Sequence, residues 1–174
     1  MQTMYFKNVS KRFGHLSMTI AACLLLWGCS AVSVLAPVEN TASNGVVRFY
    51  QGGNSLKIQV YLKNLSPLTA YTLRIHQVGD CRDPLKGSIG EPFDHTTYNF
   101  QKEPIETKQI GNLGDVTADE NGSIEFHFTV LGSKLTGPRK DSILGRSLIL
   151  TAKGQDETAS RPIACGLISK NATL

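Results

Sequence analysis

From Leu56 to Leu62 every second residue is apolar. Leu56, Ile58, Val60 and Leu62 share one face, and Lys57, Gln59 and Tyr61 share the other. A period of two marks a strand with one buried and one wet face. Turn signals bracket it. Gly52-Gly53-Asn54 connects back to a strand over Val46 to Gln51, and Asn64-Leu65-Ser66-Pro67 leads to another over Tyr71 to Gln77. Ser123 to Val130 alternates again, with Ile124, Phe126 and Phe128 on one face and His127 toward solvent. Leu144 to Ala152 and Ile163 to Ile168 complete the set. No stretch beyond residue 28 carries a helical stripe. Short strands punctuated by turns predict an all-β chain, a Greek-key β-sandwich or barrel.

Residues 79 to 115 interrupt the pattern. They contain Pro84, Pro92 and Pro104, with glycines at 79, 87, 90, 111 and 114. A structureless segment of that length is expected to be functional or tied down.

The first 28 residues read as an export signal. Lys7, Lys11 and Arg12 form a basic start with no acid, and Met18 to Trp27 is an apolar run too short to span a bilayer. Leu26-Trp27-Gly28-Cys29 resembles the lipobox of bacterial lipoproteins, in which the cysteine is acylated and becomes the new N-terminus. Ser30 after it implies sorting to the outer membrane. An ordinary secretory signal is the alternative. Cleavage before Cys29 leaves 146 residues, 29 through 174, enough for one core. It also takes the formal net charge from +4 to +1, which gives no reason to expect nucleic-acid binding. Residues 29–44, small and polar, are expected to form a tether, and 45–174 the folded domain.

Four segments carry a family resemblance: Ile75-His76-Gln77-Val78-Gly79-Asp80-Cys81; Gly111 through Gly122; Ile143-Leu144-Gly145-Arg146-Ser147-Leu148-Ile149-Leu150-Thr151; and Ala164-Cys165-Gly166-Leu167-Ile168. In order and spacing they resemble the copper/zinc superoxide dismutases, over residues 45 to 170. The resemblance implies that family's β-sandwich. Export favours a disulfide between Cys81 and Cys165, and the resemblance implies the same pair. A zinc site or nucleophilic thiol is the competing use of these cysteines, and they show no CxxC spacing.

The same resemblance implies a metal centre of six histidines and an aspartate. The exported chain has only His76, His95 and His127. In the family's His-x-His pair, Arg74 stands first and His76 alone is kept. Pro92 occupies the place of the bridging histidine. Phe100, Gln109 and Asn112 fall at the zinc ligands, and Thr151 at the last copper ligand. Pro162 takes the place of the family's guiding arginine, with Arg161 one residue earlier. Copper affinity needs several imidazoles held together. Arg74 is the strongest objection, since a guanidinium has no lone pair to offer and stays charged. Two roles are open for Arg74: an internal cation paired with Glu91 or Asp94 in place of copper, or a residue exposed to water. His95 with His76 could make only a weak metal site. Phe93, Tyr98 and Phe100 are expected to pack the long loop in place of metal.

These readings lead to a lipid-anchored envelope protein, a pseudoenzyme with no expected cofactor, attached to the membrane through Cys29 and acting as a binding or structural module. The alternative is a diverged dismutase that keeps some copper through His76. A third possibility is docking to another envelope protein through the long loop or a sheet edge. No P-loop, GxSxG, HExxH or dinucleotide fingerprint suggests other chemistry.

Overall fold

The computed structural model describes residues 29–93, 111–131, 134–138, 142–153 and 161–170. Among these residues there are eight strands: β1 (Ser30–Pro37), β2 (Asn44–Gly52), β3 (Ser55–Lys63), β4 (Ala70–His76), β5 (Asn112–Thr117), β6 (Ile124–Leu131), β7 (Ser147–Ala152) and β8 (Arg161–Lys170). All neighbours are antiparallel, in the order β5-β4-β7-β8-β1-β2-β3-β6. The chain crosses between β3 and β4 and returns to place β6 beside β3. This is the expected all-β arrangement, a nearly closed barrel in which β5 and β6 are the edge strands among the described residues.

The alternation read over Leu56 to Leu62 places its apolar face inside. Ile58 and Val60 are fully buried and meet Val47, Phe49, Leu73, Leu148, Leu150 and Ile168 in one core. The hairpin between β2 and β3 turns through Gly53 and Asn54, with Gly53 at a φ of 58° that glycine adopts without a Cβ clash. Phe128 and Phe126 follow the inward face of β6, opposite Ile58 and Val60. Their rings stack at 5.2 Å, and Phe126 is exposed on a strand that has no further neighbour among the described residues. His127 faces solvent, as its parity requires.

Two sequence expectations are corrected. Residues 29–44 are not a tether: Ser30–Pro37 is a central strand between β8 and β2. Ala31, Ser33 and Leu35 point inward and are buried. Small residues fit there because β8 approaches closely, so a run that reads as a polar linker is a packed strand. The barrel therefore begins at Ser30, not at residue 45. The second correction falls in the patternless stretch, which ends in β5 at Asn112–Thr117.

The registers give the barrel two distinct ends. One gathers Cys29, the Gly52–Ser55 turn, His76, Leu131, Ser147 and Lys170; the other gathers Pro37, Lys63, Ala70, Thr117 and Ile124.

Candidate functional site

The outward face of β4 carries Thr72, Arg74 and His76. Arg74 lies between its register partners Asn112 on β5 and Ile149 on β7, and Thr72 lies between Asp115 and Thr151. Pro92 closes an isolated antiparallel bridge onto His76. Five of the expected ligand positions, Arg74, His76, Pro92, Asn112 and Thr151, are therefore gathered on one surface. His95, Phe100 and Gln109 lie outside the described residues, as do Asp94 and Tyr98.

His76 is half-buried, and its Nδ1 stands 2.8 Å from the carbonyl oxygen of Gly90. A carbonyl only accepts, so Nδ1 carries the proton and Nε2 keeps the lone pair. Burial pulls the imidazole below its ordinary pKa of 6.5, Arg74 pushes the same way, and the Gly90 carbonyl and Glu91 oppose them. The neutral ring is the favoured form, with a single nitrogen free to coordinate.

Arg74 is exposed, and among the described residues no carboxylate lies within ion-pairing distance of it. The internal-cation role through Glu91 is thus not what the structure shows; the exposed role is. Asn112 turns its carboxamide oxygen toward its own backbone, accepting from the Gly114 amide at 3.1 Å. Arg161 does not reach toward the site either, because its guanidinium pairs with Glu39 at the opposite end of the barrel. One imidazole, a guanidinium, a proline, a carboxamide and a hydroxyl do not form a copper or zinc site. Among the described residues no group of three His, Cys, Asp or Glu side chains is placed to hold a metal ion.

Residues 77–93 are fixed by other means. Cys81 is disulfide-bonded to Cys165, with Cα atoms 5.7 Å apart. Ile89 and Leu85 pack with Val38 and Cys165 over Ile149, which closes the outer face of β7 and β8. Backbone bonds Gln77 N–H to Glu91 O and Val78 N–H to Ile89 O, both 2.9 Å, fold the loop on itself. Gly79 passes so close to the Gly145 carbonyl oxygen that a Cβ would lie 2.1 Å from it.

Arg146 is a clamp that sequence reading did not single out. Its Nε donates to Ser142 O at 2.8 Å and its Nη1 to Gln77 O at 2.9 Å. The guanidinium carbon lies 3.5 Å from the centroid of the Phe93 ring, and Phe93 is buried. The expectation that Phe93 packs the loop is met, with a cation laid against it. The Gly145-Arg146 doublet was the available signal. Asp115, in the second of the matched segments, accepts from Thr72 Oγ1 at 2.8 Å and from Lys153 Nζ at 2.5 Å. Lys153, then Thr72, hold its carboxyl below the ordinary range.

Comparison with known proteins agrees with this architecture. The family model described as copper/zinc superoxide dismutase matches residues 43–168. The chain is 30% identical over 127 residues to the Cu-Zn superoxide dismutase of Paramecium bursaria Chlorella virus 1, covering 72% of this chain and 65% of the viral protein. It therefore spans just under two thirds of that relative. The extracellular Cu-Zn superoxide dismutase of Brugia pahangi is 27% identical over 173 residues, covering 91% and 85%. That of Saccharomyces cerevisiae is 30% identical over 129 residues, covering 72% and 81%. Strand β1 precedes the matched residues, yet it sits in the middle of the sheet.

Proposed function

The chain belongs to the copper/zinc superoxide dismutase family, and from that membership we propose that it is a family pseudoenzyme: an envelope lipoprotein that keeps the barrel as a binding or structural module without the dismutase centre. The observation that carries this is the pairing of His76 with Pro92. The position of the bridging imidazole lies beside the one retained ligand, but its side chain has no donor atom. Arg74, two residues away on the same face, adds a fixed positive charge that disfavours an incoming cation. The disulfide and the Arg146–Phe93 clamp supply the order that bound zinc gives a loop elsewhere.

Export and anchoring belong to the same proposal. Leu26-Trp27-Gly28-Cys29 supports acylation at Cys29, and Cys29 is exposed with a free thiol. Ser30 supports the outer membrane as destination. Among the described residues no helix is long and apolar enough to cross a bilayer. Several acyl chains on one cysteine would hold the domain firmly, since each buried methylene adds about 0.8 kcal/mol.

A second reading has one observation in its favour. His76 Nε2 keeps its lone pair while Nδ1 is held by Gly90. A diverged dismutase would use that nitrogen for copper. Metal content and superoxide removal by the mature protein, before and after copper and zinc loading, separate the two readings. The pseudoenzyme stays metal-free and inactive. Stoichiometric copper together with dismutation, both lost in His76→Ala, would establish the diverged enzyme instead.

A further inference from the structure

We propose that the barrel end carrying Cys29 docks directly on an anionic lipid surface, with Leu131 and Tyr50 entering the headgroup layer and Lys57, Lys134 and Lys170 meeting lipid phosphates. The proposal rests on the anchor at Cys29.

The first support is the absence of slack. Ser30 is already the first residue of β1, paired with Tyr50, and the Cys29 carbonyl accepts the Gln51 amide at 2.9 Å. A flexible linker of even ten residues would let the domain float tens of ångströms from the bilayer. Here no residue separates the acylated position from the sheet. Whatever lies at this end is pressed against headgroups.

What lies there suits that contact. Gln51 ties the end together: its side chain donates to Gly53 O at 2.9 Å and Ser55 O at 3.0 Å, and accepts the Leu135 amide at 2.8 Å. Lys134 is thereby held beside the hairpin. Leu131 pairs with Ser55 and is 76% exposed, the most exposed large apolar side chain among the described residues. Tyr50 is 38% exposed beside Ser30. Lys170 is the register partner of Ala31. An exposed leucine and tyrosine ringed by lysines is the composition of an interfacial membrane contact.

Charge separates along the barrel axis. Among the described residues, this end carries Lys57, Lys134, Arg146 and Lys170 against Glu91. The opposite end carries Glu39, Asp115, Asp119, Glu120 and Glu125 against Lys63, Lys153 and Arg161. An anionic leaflet attracts the first end and repels the second.

The test uses the full chain, produced lipidated, with acylation of Cys29 verified by mass spectrometry, in vesicles of phosphatidylethanolamine with phosphatidylglycerol or of phosphatidylcholine alone. An environment-sensitive dye is placed at Leu131→Cys or, as control, at Leu68→Cys, which is 71% exposed at the opposite end. The expected result is a blue shift and quenching by lipid-borne quenchers at 131 in anionic vesicles, and neither at 68. Dyes equally exposed to water at both positions overturn the proposal, as does burial at 131 that is unchanged in phosphatidylcholine. If Cys29 proves unacylated, the anchor reading fails separately. Docking is then tested by sedimenting the soluble chain with the anionic vesicles. Binding that weakens roughly a hundredfold in the triple variant Lys57→Gln, Lys134→Gln, Lys170→Gln, at about fivefold per lysine, sustains the docking surface. No binding at low salt removes it. Circular dichroism of each variant confirms the fold, and the altered side chains are all exposed.

Discussion

Pro92 faces His76 across an isolated antiparallel bridge on the outer wall of the barrel. The loop that leaves β4 at Gln77 returns to the same strand end, and the residue it brings beside His76 has no donor atom in its side chain. Backbone bonds from Phe93 N–H to Ile75 O at 2.8 Å and from Gly111 N–H to Phe93 O at 2.9 Å continue that return.

Restoring imidazoles beside His76 should restore copper affinity. In Arg74→His with Pro92→His, the repelling charge goes and up to three imidazoles share one face. Calorimetric titration with copper should show binding at least tenfold tighter than in the parent chain. Equal affinity in both would mean that the backbone no longer holds these positions for a common ion.

The Arg146–Phe93 contact should be a main support of the loop. Arg146→Met removes two hydrogen bonds to carbonyls and the cation over the ring, a loss of about 2 to 4 kcal/mol. Thermal unfolding should fall by several degrees, with Arg146→Lys intermediate, because an ammonium cannot donate to Ser142 and Gln77 together while lying flat on Phe93. A melting point unchanged in Arg146→Met would refute the clamp.

Reduction of Cys81–Cys165 should destabilise the fold by about 2 to 5 kcal/mol. The bond closes a sequence separation of 84 residues and pins the loop onto β8. Denaturant unfolding with and without reductant measures it. The packing of Ile89 on Ile149 should keep the reduced chain folded at room temperature.

Stability should fall on mild acidification. The folded chain disfavours the His76 cation, so its pKa lies below the ordinary value of 6.5. Above that value the ring is neutral in both states and its contribution is complete. As pH falls below it, the unfolded chain protonates first, and stability declines until the folded ring protonates too. Asp115, held low by Lys153, gives up its contribution only at more acid pH, below the ordinary 3.8. Melting curves from pH 7.5 to 5 should slope downward in the parent and flatten in His76→Gln; parallel profiles would exclude His76 as the source.

Ser33 is fully buried, and among the described residues its hydroxyl has no hydrogen-bond partner. Ser33→Ala should be neutral or stabilise by up to about 1 kcal/mol, since an unsatisfied buried hydroxyl is removed with little change in volume. Destabilisation beyond 1 kcal/mol in chemical unfolding would show that the hydroxyl is used.

The alternations over Leu56 to Leu62 and Ser123 to Val130, together with the turn signals between short strands, determined the fold class, because a period of two buries one face of a strand and a helical stripe is missing beyond residue 28. The histidine count likewise leaves too few imidazoles among residues 29 to 174 for the six-histidine centre that the family resemblance implies, because composition limits ligands whatever the fold. Three things needed the tertiary structure. Ser30–Pro37 reads as a linker because Ser33 and Ala31 carry little hydrophobic signal; only the close approach of β8 shows that small side chains are what a central strand requires there. Arg74 could have been paired or exposed; on the outer wall of β4 it is exposed, and among the described residues it has no carboxylate partner. The clamp of Arg146 on Phe93 joins residues distant in sequence that no periodicity links, and it exists because β7 and the loop after β4 meet at one end of the barrel.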